Sequence, residues 1–142
     1  MPTPSVTALQ DALLLETLAR HGCFEMVVRG GSMLPTLWQG DTVLLERVDD
    51  GAALQLSDVV LVVDDGFFAV HRLIGVRIDD GHRRWLLKGD AQAHADGWFD
   101  EAAVVAWVRR AMTTEQVPFV VGQRPLTRMD RMRLWRARRR RR

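Results

Sequence analysis

The sequence predicts a mostly-β domain, a folded sheet or partial barrel, with one α-helix before it and a basic helix or tail after it. Three observations carry this. Seven short runs rich in Val, Ile, Leu and aromatics follow one another between turn residues. Asp64-Asp65-Gly66 and Asp79-Asp80-Gly81 sit between such runs, where Asp-Gly supplies the positive φ that tight hairpins need. The chain has 142 residues, 47% hydrophobic and 27% charged, which suits one packed domain and excludes disorder throughout.

Taken in order, Val6–His21 reads as a helix. Leu9, Leu13, Leu14 and Leu18 recur with Ala12 at helical spacing, and Gly22 is a stop signal. The β-like runs are 24–29, 42–48, 58–63, 67–78, 83–88, 104–109 and 117–121. The two Asp-Gly turns predict an antiparallel meander of 58–63, 67–78 and 83–88. The organisation expected is a helix in 1–22, a β-rich core in 23–122 and an Arg-rich tail in 123–142. In the tail Leu126, Met129, Met132 and Trp135 recur every three residues among arginines, the pattern of a basic amphipathic helix ending in the run 138–142.

The formal net charge is +2, but it is unevenly spread. Residues 128–142 hold nine Arg and one Asp, whereas 1–127 hold 11 basic and 17 acidic residues. An acidic body thus carries a cationic tail, two surfaces that suit different partners. No apolar run reaches the roughly 18–20 residues that span a bilayer. The first six residues lack both a positive charge and a long apolar block, so neither a secretory signal nor a membrane anchor is expected. The location expected is cytoplasmic, peripheral on the inner face of the membrane if the tail binds there. Cys23 is the single cysteine, so no internal disulfide forms; beside His21 and without a second thiol it reads as an ordinary packed or surface cysteine.

The segment Gly30-Gly31-Ser32-Met33-Leu34-Pro35-Thr36 carries the chemistry. Two glycines bring the chain to a serine after a β-like run, and a proline fixes its exit. A hydroxyl on such a bend, with backbone N–H groups beside it, meets two needs of acyl transfer. The plainer reading is a Gly-Ser turn. The serine needs a base. His21 ends the first helix, His82 sits in a hairpin turn and His94 in a polar loop, whereas His71 lies inside the β-run 67–78. A lone strand histidine is more often structural, so a third group must orient it before it counts as a base. Asp90, directly after the run 83–88, and Asp96 in the following loop are the acids available, with Asp90 the first choice.

These residues stand in an order that resembles the boxes of type I signal peptidases. The boxes are Gly30-x-Ser32-Met33-x-Pro35-Thr36, Gly40-Asp41, Asp58-Val59-Val60, His71-Arg72 and Lys88-Gly89-Asp90, and the resemblance runs from 24 to about 110. The wider group includes the LexA-like self-cleaving repressors, and the resemblance implies their folded β-sheet. Many members use a lysine base, but here His71 holds that position and the single lysine, Lys88, belongs to the last box. That is similar to the endoplasmic-reticulum and archaeal branch, in which serine, histidine and aspartate work together. The resemblance implies a serine endopeptidase that cleaves a peptide or protein precursor without metal or cofactor. Ser32 is its nucleophile, His71 its base, and Asp90 and Asp96 its carboxylates. Gly30, Gly31, Met33 and Pro35 shape the loop, and the Ser32 N–H serves the oxyanion. The self-cleaving repressors are matched less well, because neither Ala-Gly nor Cys-Gly occurs.

Two other function classes compete with the peptidase. One is a catalytically silent module that keeps the fold and binds through it. The other is a nucleic-acid-binding protein working through the tail, for which the acidic body gives little support. The tail itself is expected to meet an anionic membrane through Arg128, Arg131, Trp135, Arg138 and Arg139, in place of the missing anchor.

Overall fold

The computed structural model describes residues 5–141. The expectations for residues 1–4 and for Arg142 lie outside the described residues.

Helix α1, Val6–His21, has the bounds expected. Ser5 caps it by accepting the Ala8 N–H, and the Gly22 N–H bonds the Leu18 carbonyl to close it. The strands are β1 (Cys23–Val27), β2 (Thr42–Arg47), β3 (Val59–Asp64), β4 (Phe67–Asp79), β5 (His82–Lys88), β6 (Gly97–Asp100), β7 (Val104–Met112) and β8 (Pro118–Phe119). Short 3₁₀ turns lie at Gly51–Ala53 and Glu101–Ala103, and α2 spans Arg128–Arg140.

All pairings are antiparallel. The strands run β1-β2-β7-β3-β4-β5-β6 in one curled half-barrel, and β8 adds to the end of β7. Both predicted hairpins form, with Asp65 and Gly66 at φ 30° and 83° and Asp80 and Gly81 at 50° and 77°. Two left-handed residues in a row suit a turn whose twist matches the flanking strands. His82 opens β5 instead of lying in the turn. The meander gains a fourth strand, because residues 97–100, expected as loop, return as β6 beside β5.

The core has two parts, and β3 divides them. Val59 and Leu61 point into one with Leu14 and Leu18 of α1, Met33, Leu37, Val43, Leu45, Val108 and Phe119. Val60 and Val62 point the other way, towards Leu73, Trp85, Leu87 and Val104. A strand covered on both faces reads as a continuous apolar run instead of an alternating one. Val28, Met33 and Leu37 belong to the first core, so the turn that carries Ser32 is held by packing before and after it.

Helix α2 begins at Arg128, capped by Thr127, so Leu126 of the expected stripe precedes it. Asp130 is its only buried residue, and every residue from 131 to 141 is exposed.

Candidate functional site

The loop that carries Ser32 joins β1 to β2. The Val28 N–H bonds the Asp41 carbonyl, and the Gly40 N–H returns to the Val28 carbonyl, so the loop is closed at its neck. Between them the chain passes Gly30 at φ 71°, Ser32, and a cis Leu34–Pro35 peptide. Met33 is 3% exposed and fastens the turn inward, and Ser32 stays partly open to solvent.

His71 comes from the middle of β4. It stands opposite Val60 on β3 and is 4% exposed. Phe67, four residues earlier on the same face, meets it edge-on at 6.3 Å and stacks on Phe99 of β6 at 5.2 Å. The ring is thus held by apolar contacts on a rigid strand.

Asp96 arrives through β6. Leu87 pairs with Leu73 on one side and Gly97 on the other, which brings the residue before Gly97 level with the His71–Arg72 end of β4. The Asp96 N–H bonds the Leu87 carbonyl at 2.7 Å and fixes this position. Its carboxylate oxygen lies 2.5 Å from His71 Nδ1, and His71 Nε2 lies 2.9 Å from Ser32 Oγ. An ionised carboxylate only accepts, so Nδ1 carries the proton and the Nε2 lone pair faces the serine hydroxyl.

Asp90 is elsewhere. The expectation that it is the first choice to meet the imidazole does not hold, because Asp90 is engaged by Arg72 and Thr36. Arg72 Nε and Nη2 each donate to it at 2.8 Å, and the Thr36 hydroxyl donates as well. His71 and Arg72 are successive on β4 and point to opposite faces, which carries their two carboxylates apart. Burial pushes the Asp90 carboxyl up, but the hydrogen bonds from Arg72 and Thr36 and the Arg72 charge outweigh it and hold the group below its ordinary value. The hydrogen bond to Asp90 raises Arg72 in turn. Asp90 therefore braces the loop, with Thr36 as its handle.

Gly89 is needed for close approach. A Cβ there would lie 2.6 Å from the Ser32 carbonyl oxygen, which accepts the Ala91 N–H at 2.9 Å. The segment after β5 thus lies directly over the Ser32 turn. No hydrogen bond uses the Ser32 N–H among the described residues, leaving a donor beside the hydroxyl.

Beside Ser32 a small apolar cleft of about 140 Å³ is lined by Met26, Val28, Met33, Leu37, Phe68 and Val70. A wider cavity of about 890 Å³ between α1 and the β4–β5 hairpin contains none of these site residues. Cys23 is exposed with a free thiol.

The tail residues Arg128, Arg131, Trp135, Arg138 and Arg139 lie on α2, all exposed, with the Arg139 guanidinium 4.0 Å from the Trp135 ring centroid. Among the described residues no helix is long and apolar enough to cross a membrane.

Sequence reasoning missed Arg124. It donates to both oxygens of Asp41, at 2.7 and 2.9 Å, and to Asp130 at 2.7 Å. The side chains are 4%, 0% and 3% exposed. The hydrogen bond to Asp41 raises Arg124, more than burial lowers it. Burial pushes Asp130 up, but Arg124 and the Thr127 N–H and hydroxyl hold it below its ordinary value. A local signal existed for one part only: Thr127-x-x-Asp130 is a capping-box spacing, and both of its hydrogen bonds form.

Comparison with known proteins gives a partial likeness. No protein-family model matches the chain. Over 70 residues it is 34% identical to signal peptidase I W of Bacillus subtilis (strain 168), a stretch that covers 49% of this chain and 37% of that protein. The chain thus spans well under half the length of the curated relative it matches, and the relationship is a distant one at superfamily level.

Proposed function

We propose that the protein is a serine endopeptidase of the signal-peptidase type, acting on a peptide or protein precursor. Ser32 is the nucleophile, His71 the general base and Asp96 the group that orients it. The observation that carries this is the unbroken line from Asp96 Oδ2 through both nitrogens of His71 to Ser32 Oγ. The distant likeness to a signal peptidase I supports the reaction class.

The chemistry follows from the geometry. Ser32 Oγ attacks the scissile carbonyl carbon while its proton passes to His71 Nε2. The imidazolium is stabilised by the Asp96 carboxylate, which stays ionised. The Ser32 N–H faces the oxyanion. The tetrahedral intermediate expels the amine, which takes the proton from Nε2, and leaves an ester on Ser32. A water then gives up a proton to Nε2 as it attacks that ester, and the second tetrahedral intermediate expels Ser32 Oγ, which takes this proton back and releases the carboxylic acid product. No step calls for a metal or a cofactor. Asp90 takes no proton in this scheme; with Arg72 and Thr36 it holds the loop. The narrow cleft of about 140 Å³ favours small apolar side chains beside the scissile bond.

The test is incubation with a peptide library read by mass spectrometry. Cleavage is expected from the native chain and not from Ser32→Ala or His71→Ala, both still folded. Equal cleavage by either variant rejects the assignment. No cleavage by any of the three favours a silent module that binds through the same groove.

A second reading concerns α2 and is favoured by its charge. Asp130, its one carboxylate, is buried against Arg124, so every exposed charge on the helix is positive. Met129, Met132 and Trp135 are also about half exposed. Such a helix suits an anionic membrane surface, where each arginine contributes about 1 kcal/mol. Removal of residues 128–142 is expected to abolish sedimentation with anionic vesicles. Equal sedimentation of both chains overturns this, and salt-sensitive binding of DNA or RNA without vesicle binding points to nucleic acid instead.

A further inference from the structure

We infer that Arg124 is a positioning residue for the proposed cleavage. Its guanidinium fastens the far end of the Ser32 loop to the base of α2 through Asp41 and Asp130. The inference rests on the peptidase reading for its kinetic consequence, and on geometry alone for the clamp.

Beyond its neck and the Arg29–Asp11 pair that ties it to α1, the loop of 28–41 is held at three places. The Ser32 carbonyl is held by the Ala91 N–H, Thr36 by Asp90, and the loop's exit by Asp41. Asp41 does the last by accepting the Trp38 N–H at 2.9 Å, while its own N–H bonds the Trp38 carbonyl. The Trp38 indole N–H reaches back to the Pro35 carbonyl at 3.1 Å. Asp41 therefore shapes the turn that leaves Pro35, three residues beyond Ser32.

Asp41 is fully buried and needs a cation, which Arg124 alone supplies among the described residues. Arg124 does it bidentately, with its plane 4.8 Å from the Trp38 ring centroid and 5.8 Å from that of Phe119. Its remaining nitrogen donates to Asp130 and to the Pro125 carbonyl. A fork of fixed planar donors can satisfy two carboxylates and stack on an indole at once, and an ammonium cannot. Asp130 closes the chain of contacts, because it is also the capping-box residue of α2. The cationic helix and the nucleophile loop thus share one buried guanidinium, although neither the hydroxyl nor the imidazole touches it.

The decisive variant is Arg124→Lys, which keeps the charge and loses the fork, with the exposed Arg110→Lys as control. Two readouts are taken. In the first, kcat and KM are measured on the best peptide from the library. A displacement of about 1 Å at the reacting atoms costs up to about 100-fold, so Arg124→Lys is expected to lower kcat at least about tenfold with KM within about twofold. In the second, ¹⁵N spectra of the resting proteins are compared. The Trp38 indole and the amides of residues 32–34, 36 and 37 are expected to shift in Arg124→Lys and to stay in place in Arg110→Lys. A folded Arg124→Lys with native kcat, or with native loop resonances, overturns the inference, even with a lower melting temperature. Should Arg124→Lys not fold, Arg124→Gln combined with Asp41→Asn removes both charges together and is judged by the same two readouts. If the native chain shows no Ser32-dependent cleavage, the peptidase reading fails while the resonances still decide the clamp.

Discussion

Replacing Asp96 by asparagine separates the two carboxylates that the sequence left open. The native pair is 2.5 Å apart, with side chains 5% and 9% exposed, so little water is present to substitute for a lost partner. Asparagine fits the space but presents an N–H to Nδ1. The imidazole then carries its own proton on Nε2, 2.9 Å from Ser32 Oγ, where a lone pair is required. The imidazolium formed during attack also loses its counter-charge. In the Ser-His-Asp template the same change costs about 10⁴ in kcat, which at about 1.36 kcal/mol per tenfold is about 5 kcal/mol of transition-state stabilisation. Asp90→Asn leaves the imidazole contact untouched and weakens Arg72 and Thr36, so its expected loss is less than about tenfold in kcat, accompanied by lower stability. The assay is steady-state kinetics of both variants on one peptide, with urea unfolding alongside. Native-like kcat in Asp96→Asn, or a loss in Asp90→Asn as large as that in Asp96→Asn, refutes the assignment of the orienting role.

Three further outcomes are expected. Gly89→Ala places a methyl 2.6 Å from the Ser32 carbonyl oxygen, a backbone atom that cannot rotate away, and should cost about 1–3 kcal/mol in urea unfolding together with most of the activity. Asp90 and Asp130 are both held below the ordinary carboxylate value, so the native state binds fewer protons than the unfolded one. Their contribution is complete above the unfolded value near about 3.9 and is lost as pH falls through the lowered native values. Urea midpoints should therefore fall with acid more steeply in the native chain than in Asp130→Asn, and equal slopes contradict this. Leu18→Ala removes a side chain 3% exposed at the seat of α1 and should cost about 2–5 kcal/mol, measured by the same unfolding.

Much of the fold was legible because its signals are local. Ser5 and Gly22 bracket α1, and the Asp-Gly turns define β3, β4 and β5 without long-range information. Strand β6 was not legible, since four residues behind a polar loop carry too little alternation to distinguish them from that loop. Its absence from the prediction explains the preference for Asp90. Without β6, the acid nearest the end of β5 is the natural partner; with it, Asp96 is returned to His71. Ser32 and His71 were singled out by their place in the ordered boxes that resemble a signal peptidase, whereas residue type alone favoured a Gly-Ser turn and a structural histidine. The Arg124 clamp was not, because Asp41 and Asp130 are met from opposite ends of the sequence and only the capping box is a short-range pattern.

Arg124 and Asp41 are separated by 83 residues, against 39 for Ser32 and His71 and 25 for His71 and Asp96. The last brace on the nucleophile loop is thus made by a segment that leaves the ribosome long after the triad has been synthesised. Closing the longer loop costs only about 0.6 kcal/mol more per doubling, but it cannot close until residue 124 is available. In chain order the serine, the histidine and the aspartate all precede the arginine that completes the brace on their loop.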